Sequence, residues 1–414
     1  MENFKLQPSS LFGEIQAPPS KSFAHRTLIC AYLSGVEVAV KNIGFSDDVI
    51  VTLNALETLG AKITKTSNGV IIKKGQISSD KLIIDCNESG SSLRFLLPVV
   101  SAIGVKAEFT GKGKLLQRPI KELVDTLNLH GANIDGYAVN GKLESGKYEI
   151  DGGISSQYIT GLLLALSTID GESEIIINGK LVSEPYVNIT LSVLNDFGVQ
   201  FKKTECGYII KGGYKTKKLE HIVEGDWSSV AFPLVGGAIS GKVTVSGLNL
   251  NSVQGDREIV NVLKKFNAKV TCSGNSVTVE KSNLIGTTLD MEDIPDLCQI
   301  VSVLGAYASG KTEMYGVSRL KIKESDRIKA IIDMLRGCKV DAEYDGEKIS
   351  VFGKKPISAS LSGGKDHRTV MSSAILLTTC GGEISDANYY GKSYPEFTQD
   401  YKKLGGKLNV EIDG

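Results

Sequence analysis

The stretch Leu56-Glu-Thr-Leu-Gly60-Ala-Lys-Ile63 recurs in altered form five more times along the 414-residue chain. Each copy joins the end of an amphipathic helix to a glycine or similar residue and then to an apolar run, a pattern typical of a helix C-cap followed by a strand. The other copies occupy residues 127–134, 194–201, 263–270, 334–340 and 401–408, with Gly337 expected to be the cap of the fifth. The glycine position recurs about every seventy residues, which predicts six similar units over the whole length.

Each unit is long enough for about two helices and three or four strands. After four of the caps a second strand is predicted, at 69–73, 208–211, 276–280 and 348–352, where short β-branched runs follow turn-forming residues. Hairpins of this kind predict an α/β fold with mixed sheets. At this length two domains are expected, and six units divide into two groups of three near Glu224-Gly225-Asp226.

The composition excludes several classes of protein. Lys and Arg number 47 and so do Asp and Glu, a balance that argues against a general nucleic-acid binder. No apolar run approaches the length of a membrane span, and the first residues lack the apolar core of a signal peptide. Seven scattered cysteines favour reduced thiols and a cytoplasmic location, and four histidines without ligand spacing predict no metal site.

Basic residues stand where several helices are predicted to begin. Ser20 reads as an N-cap, so that Lys21 would lie in the first turn of a helix and Arg26 about one turn further on. A cation there opposes the helix macrodipole, and a cation beside free N–H groups suits an anion. Similar positions are held by Arg118, Arg368 and Lys392. For any one of these segments, a solvated basic turn or an ordinary cap is an equally good explanation.

Small polar residues open two further predicted helices, in Ser89-Gly90-Ser91 and in Ser155-Ser156-Gln157. Backbone amides and hydroxyls presented in this way suit a phosphate or a carboxylate, although capping again explains them equally well. Two acids accompany the cations, Asp296 and Glu324. On a predicted helix Lys323 and Arg327 would share a face, which is unfavourable without a ligand.

Taken in order along essentially the whole chain, these segments resemble the family of 5-enolpyruvylshikimate-3-phosphate (EPSP) synthases, the 3-phosphoshikimate 1-carboxyvinyltransferases. The resemblance rests on residues 19–26, 89–94, 118–119, 155–157, 183–186, 224–226, 294–296, 323–327 and 366–368. It implies two similar domains of three βαβαββ units each, the inside-out α/β barrel of enolpyruvyl transferases. Residues 21–225 would form the domain on the shikimate 3-phosphate side. Residues 1–20 and 226–414 would form the second domain, which completes the phosphoenolpyruvate site.

The resemblance implies transfer of the enolpyruvyl group of phosphoenolpyruvate to the 5-hydroxyl of shikimate 3-phosphate, in the shikimate pathway to chorismate and aromatic amino acids. It implies a monomer that needs no cofactor, inhibited by glyphosate at the phosphoenolpyruvate site. Asp296 is the expected base, and either Glu324 or Lys21 delivers the proton to the methylene carbon. The residues expected to bind phosphoenolpyruvate are Lys21, Gly90, Arg118, Gln157, Arg327, Arg368 and Lys392. Those expected to bind shikimate 3-phosphate are Lys21, Ser22, Arg26, Ser155, Ser156, Gln157, Ser183, Asp296 and Lys323.

Two alternatives remain. The UDP-N-acetylglucosamine enolpyruvyl transferases share the architecture, but they typically have Lys-Asn where this chain has Lys21-Ser22, and often a cysteine in the loop that corresponds to residues 111–117. This chain has no cysteine there. A non-catalytic anion-binding homologue would gain nothing from Asp296 and Glu324, and phosphate release with both substrates present would distinguish it from an enzyme.

Overall fold

The structure, a computed structural model, describes residues 2–412. The chain forms two compact units. The middle unit is Lys21–Val223, and the split unit consists of the described parts of Met1–Ser20 and Glu224–Gly414. The chain therefore passes from one unit to the other between Ser20 and Lys21 and between Val223 and Glu224.

Between residues 2 and 412 there are twelve α-helices, six in each unit. Those of the middle unit are α1 (Lys21–Leu33), α2 (Asp47–Thr58), α3 (Gly90–Ile103), α4 (Lys121–Asn128), α5 (Ser156–Leu166) and α6 (Glu184–Asp196). Those of the split unit are α7 (Trp227–Ser240), α8 (Ile259–Lys265), α9 (Cys298–Tyr307), α10 (Arg327–Gly337), α11 (His367–Leu377) and α12 (Phe397–Lys403). Short 3-10 turns occupy Leu115–Gln117, Gly255–Glu258, Pro295–Leu297, Ser318–Ile322 and Ala387–Lys392.

The strands of the middle unit are β3 (Val38–Lys41), β4 (Ala61–Thr66), β5 (Gly69–Lys74), β6 (Leu82–Asp85), β7 (Ala107–Thr110), β8 (Ile134–Asp135), β9 (Ala138–Val139), β10 (Lys147–Asp151), β11 (Glu172–Asn178), β12 (Gln200–Lys203), β13 (Gly207–Lys211) and β14 (Glu220–Ile222). Those of the split unit are β1 (Glu2–Gln7), β2 (Phe12–Gln16), β15 (Lys242–Ser246), β16 (Lys269–Ser273), β17 (Ser276–Glu280), β18 (Thr288–Asp290), β19 (Lys311–Tyr315), β20 (Asp341–Tyr344), β21 (Ile349–Phe352), β22 (Ala359–Ser362), β23 (Gly382–Ser385) and β24 (Lys407–Ile412).

These strands form six four-stranded sheets of one topology within the part of the chain that the structure describes. In each sheet one parallel pair is followed by two antiparallel pairs, as in the order β10-β11-β13-β12. The first two strands of the chain belong to the split unit, where β2 lies beside β15 and β1 lies between β23 and β24. The mixed α/β fold predicted from the repeat is confirmed.

Three helices at the centre of each unit are buried along most of their length: α1, α3 and α5 in the middle unit, and α7, α9 and α11 in the split unit. Helices without a polar face belong in a protein core, and here they pack against one another within each unit. Several of the residues singled out from the sequence lie at the N-terminal ends of these central helices: Lys21 and Ser22 in α1, Gly90 in α3, Ser156 and Gln157 in α5, and Arg368 in α11. Others precede α6 or α10 or lie in turns. The fold therefore places part of the predicted set beside the free N–H groups of helix first turns.

The repeated cap adopts the left-handed conformation at Gly60, Gly131, Gly198 and Gly405, and Asn267 does so at the same position of the fourth copy. The fifth copy was predicted wrongly. Gly337 is the last residue of α10, and the left-handed residue is Lys339, two positions later. The prediction places the cap at Gly337 because this is the only glycine in residues 334–340, whereas the strand of this copy begins only at Asp341.

Candidate functional site

At the start of α1, Lys21 is the first helical residue, as expected from the sequence. Its ammonium group lies 2.9 Å from Oδ2 of Asp48, and both side chains are largely buried. Asp48 is the second residue of α2, where its negative charge also interacts favourably with the positive end of the helix dipole. Lys21 is thus held by an acid that the sequence analysis did not select.

Arg26 lies deeper in the core of the middle unit, with only 2% of its surface exposed. Its guanidinium donates to the hydroxyl of Thr190 at 2.8 Å and to the carbonyl oxygens of Ser22 at 2.7 Å and Tyr186 at 3.1 Å. It also stacks over the ring of Phe95 at 4.8 Å. Burial lowers the pKa of Arg26 to about 9. Through these contacts Arg26 joins the first turn of α1 to the first turn of α6.

The starts of α3 and α5 meet through Gln157. Its amide nitrogen donates to the hydroxyl of Ser91 at 3.0 Å, and its amide oxygen accepts from Nη1 of Arg94 at 2.9 Å. Arg94 also donates to the carbonyl oxygen of Pro119, the residue that follows Arg118. A side chain at Gly90 would collide with Arg118, because an added Cβ would lie 2.3 Å from its Nη1 atom. The Arg118 guanidinium therefore lies directly against the first residue of α3.

The serines selected from the sequence are also at helix starts. Ser155 is the N-cap of α5, and its hydroxyl accepts from the backbone N–H of Gln157 at 3.3 Å. Ser156 is the first residue of that helix, and Ser22 is the second residue of α1. Ser183 precedes α6 in the left-handed conformation, with φ of 54°. Such backbone strain in a residue other than glycine is often found at ligand sites.

In the split unit, three cations surround Asp296. Nη2 of Arg368 donates to Oδ2 at 2.9 Å, and Nη1 of Arg327 donates to Oδ1 at the same distance. The ammonium of Lys323 lies 3.5 Å from Oδ1. Arg368 also donates to the backbone carbonyl oxygen of Asp296, which fixes the turn before α9. Burial alone would raise the pKa of Asp296, but the surrounding positive charges outweigh burial and hold this pKa well below the usual range.

Arg327 is buried and binds two more acids. Its Nη2 donates to Glu324 at 2.8 Å and its Nε donates to Asp366 at 2.8 Å. Asp366 is fully buried and is also the N-cap of α11. Burial would raise the pKa of Asp366, but the charge of Arg327 lowers it on balance. The prediction that Lys323 and Arg327 share one helical face is wrong, because α10 begins only at Arg327, and Asp326 caps it.

Of the remaining predicted residues, Lys392 is the last residue of the turn Ala387–Lys392, and its ammonium lies 4.8 Å from the centre of the Tyr389 ring. Sequence reasoning missed Asp48 and Asp366 as the acids that hold Lys21 and Arg327. The sequence pattern predicts only that a helix begins near Arg368. The ion pair with Arg327, 39 positions earlier, has no signal in a single sequence.

Residues 2–412 contain neither a membrane-spanning helix nor a cluster of metal ligands. No helix there is long and apolar enough to cross a membrane. No group of three or more His, Cys, Asp or Glu side chains there has the arrangement of a metal site.

Comparison with known proteins decides the family. The model of the EPSP synthase (3-phosphoshikimate 1-carboxyvinyltransferase) family matches residues 6–401. The chain belongs to this family. A 3-phosphoshikimate 1-carboxyvinyltransferase of Clostridium kluyveri is 37% identical over 420 residues, and one of Clostridioides difficile is 37% identical over 431 residues; in each case 99% of both chains is covered.

Solved structures support the same fold. The structure of EPSP synthase from Acinetobacter baumannii covers 100% of both chains with a TM-score of 0.85 at 22% identity. The enolpyruvyl transferase NikO from Streptomyces tendae covers 100% of this chain and 99% of its own, with a TM-score of 0.77 at 15% identity. At these identities the likeness concerns the fold, which is that of the enolpyruvyl transferases.

Proposed function

We propose that the two groups of residues described above carry out enolpyruvyl transfer from phosphoenolpyruvate to the 5-hydroxyl of shikimate 3-phosphate, with release of phosphate. The activity follows from membership of the family, whose full-length relatives carry this transferase name. The division of roles among residues is our proposal. The observation that carries it is the convergence of Arg327, Arg368 and Lys323 on the partly buried carboxylate of Asp296.

Asp296 is the proposed base for the 5-hydroxyl. A carboxylate held by three cations is a weak base, because those charges stabilise its ionised form. The carboxylate of phosphoenolpyruvate would compete with Asp296 for Arg368, and losing that partner would raise the basicity of Asp296. In this proposal the arrival of phosphoenolpyruvate activates Asp296, which then takes the proton of the 5-hydroxyl of shikimate 3-phosphate.

Proton delivery to the methylene carbon is assigned to Glu324 or Lys21. Glu324 accepts a hydrogen bond from Arg327, which favours its ionised form and hinders it as an acid. Lys21 is charged, and its partner is Asp48. Glu324 and Lys21 therefore both remain candidates. Experiment can separate them, because loss of the proton donor slows the addition step, whereas loss of an anchor lowers substrate affinity.

The remaining residues are proposed to hold the anions. Phosphoenolpyruvate would be bound by Lys21, Gly90, Arg118, Gln157, Arg327, Arg368 and Lys392, and shikimate 3-phosphate by Lys21, Ser22, Arg26, Ser155, Ser156, Gln157, Ser183, Asp296 and Lys323. Helix N-termini and guanidinium groups are the usual partners of phosphates and carboxylates. In an arrangement of this kind the protein's own charges stabilise the leaving phosphate. The domain roles follow: the middle unit takes shikimate 3-phosphate, and the split unit completes phosphoenolpyruvate binding.

The assignment is tested by steady-state phosphate release in wild type, Arg368→Gln and Arg336→Gln. Arg336 lies in the same unit and donates to the backbone carbonyl oxygen of Ala342, so it serves as a control for loss of a guanidinium. We expect Arg368→Gln to raise the KM for phosphoenolpyruvate at least tenfold, and Arg336→Gln to leave it within twofold. Equal effects of the two substitutions would refute the proposed role of Arg368. Activity on UDP-N-acetylglucosamine in place of shikimate 3-phosphate would contradict the proposed substrate.

We further propose that the protein acts as a monomer in the cytoplasm. All seven cysteines are unpaired, as suits a reducing compartment. Light scattering at assay concentration tests the monomer, and a mass near twice 44.3 kDa would contradict it.

A further inference from the structure

A second buried carboxylate, Asp256, lies beside the Asp296 group and has no role in the proposed chemistry. It belongs to the short turn Gly255–Glu258 that precedes α8, and only 5% of its surface is exposed. Its Oδ1 atom is buried and has no hydrogen-bond partner among residues 2–412. A buried, unsatisfied carboxylate is costly when ionised and far less so when it carries a proton.

Ser228 connects Asp256 to the arginine proposed to bind substrate. The Ser228 hydroxyl accepts a hydrogen bond of 2.7 Å from Nη2 of Arg368, and it also interacts with the Asp256 carboxyl group. The same Nη2 atom donates to Asp296 at 2.9 Å. Arg368 therefore lies between two carboxyl groups, Asp296 in direct contact and Asp256 on the far side of a serine hydroxyl.

The charges around this turn set the state of Asp256. Burial is the largest cause that raises its pKa, the negative charge of Asp296 adds to it, and the result is a pKa of about 7. Arg368 and Ser228 act in the opposite direction, and Asp226 at the start of α7 raises the pKa further. On the far side of Asp296, the charged or titratable groups are Lys323, Arg327 and His367.

We infer that Asp256 is a positioning residue that controls, through Ser228, how strongly Arg368 binds the carboxylate of phosphoenolpyruvate. When Asp256 carries a proton, it adds no negative charge to that of Asp296, and Arg368 is more available to the substrate. When Asp256 is ionised, a second negative charge holds Arg368 and repels the substrate carboxylate. The inference rests on the proposed role of Arg368, and it predicts that substrate affinity falls as pH rises through neutrality.

The test is the KM for phosphoenolpyruvate from pH 6 to pH 8.5, at saturating shikimate 3-phosphate, in wild type and in Asp256→Asn. Asparagine has the shape of the protonated acid and cannot ionise. The substrate's own titration affects both enzymes equally, so it cancels in the ratio of the two KM values. We expect the ratio of wild type to variant to be near one at pH 6 and to reach about tenfold at pH 8.5, the effect of one pKa unit of coupling.

Two further variants sharpen the test. Ser228→Ala removes the hydroxyl that links Asp256 to Arg368, and it also removes a group that lowers the pKa of Asp256, so the rise in KM with pH should be smaller than in wild type and should move to higher pH. Asp400→Asn is the matched control: Asp400 is an acid of the same unit with a pKa raised mainly by burial, and it accepts a hydrogen bond from Tyr394 at 2.6 Å. The ratio of wild type to Asp400→Asn should not vary with pH.

A ratio of wild type to Asp256→Asn that is the same at every pH would overturn the inference, whatever its value. So would a variant that changes only kcat. If Asp256→Asn does not fold, the Ser228→Ala profile decides, and a profile that matches wild type overturns the inference. Failure of the proposed function is a separate result, because wild type itself would then release no phosphate from the two substrates.

Discussion

Gly90→Ala is the substitution whose effect the structure defines best. An added methyl group would lie 2.3 Å from Nη1 and 2.8 Å from Cζ of Arg118, and 3.0 Å from Nη1 of Arg94. Ordinary contact begins near 3.4 Å, so the Arg118 guanidinium must retreat by about 1 Å. Because it is the end of a flexible side chain, the guanidinium moves and α3 keeps its start.

Displacement of the Arg118 guanidinium should weaken anion binding. Weakening one hydrogen bond to a charged group costs about 1.5–3 kcal/mol, which is roughly tenfold to a hundredfold in affinity. We expect Gly90→Ala to raise the KM for phosphoenolpyruvate toward the lower end of this range, because the compact substrate leaves room for the arginine to adjust. Glyphosate, expected from the family resemblance to compete with phosphoenolpyruvate, should lose more affinity.

The assay compares the KM for phosphoenolpyruvate and the inhibition constant of glyphosate, both at saturating shikimate 3-phosphate. Gly146→Ala is the control in the same unit, since its methyl group would meet only His130, at 3.3 Å. An unchanged KM and inhibition constant in Gly90→Ala would refute the placement of Arg118 at the phosphoenolpyruvate site. A native enzyme indifferent to millimolar glyphosate would show that Gly90 alone does not set the inhibitor's affinity.

Three other substitutions test the account. Asp296→Asn should lower kcat on the order of a hundredfold without raising the KM for phosphoenolpyruvate, because Arg368 loses a competing anion. Steady-state phosphate release measures both constants, and an unchanged kcat with a raised KM would contradict this prediction. Asp366→Asn should lower the free energy of unfolding by about 3–5 kcal/mol, because buried Arg327 loses an ionic partner, and a urea denaturation midpoint equal to wild type would contradict this. His25 is buried with a pKa lowered to about 3 mainly by burial, so between pH 6.5 and pH 3 the unfolded chain binds a proton that the folded protein does not. Stability should therefore fall with falling pH, by up to about 1.4 kcal/mol per pH unit, and urea denaturation of His25→Asn at pH 5 and pH 7.5 should show a smaller fall.

Most of the fold could be predicted from the repeat in the sequence. Glycine caps such as Gly60 and Gly405, and strands such as β5 and β17, are local features written in a few adjacent residues, so a single sequence reveals them. The wrong prediction at Gly337 rests on the same kind of local signal. A glycine near the end of a helix is the usual cap, but here Lys339 has the left-handed conformation. Local chemistry predicts that a cap exists more reliably than it predicts which residue forms it.

The site was predictable only in part. Lys21, Arg118 and Arg368 stand out because cations at helix starts oppose the dipole. Their partners do not stand out: Asp48 reads as an ordinary acid in a first turn, and Asp256 lies 112 positions from Arg368 along the chain. Such pairs depend on how distant segments pack. Arg327, expected to bind phosphoenolpyruvate, is buried and paired with three carboxylates, none of which the sequence pattern pairs with it.

The central claim is that this chain transfers the enolpyruvyl group. Phosphorus NMR of the enzyme with equimolar phosphoenolpyruvate and shikimate 3-phosphate tests it most directly. We predict that phosphoenolpyruvate disappears while inorganic phosphate and a new phosphate monoester, 5-enolpyruvylshikimate 3-phosphate, appear in equal amounts, and that neither forms when one substrate is left out. Phosphate released without shikimate 3-phosphate, or two substrates left unchanged by folded protein, would contradict the account.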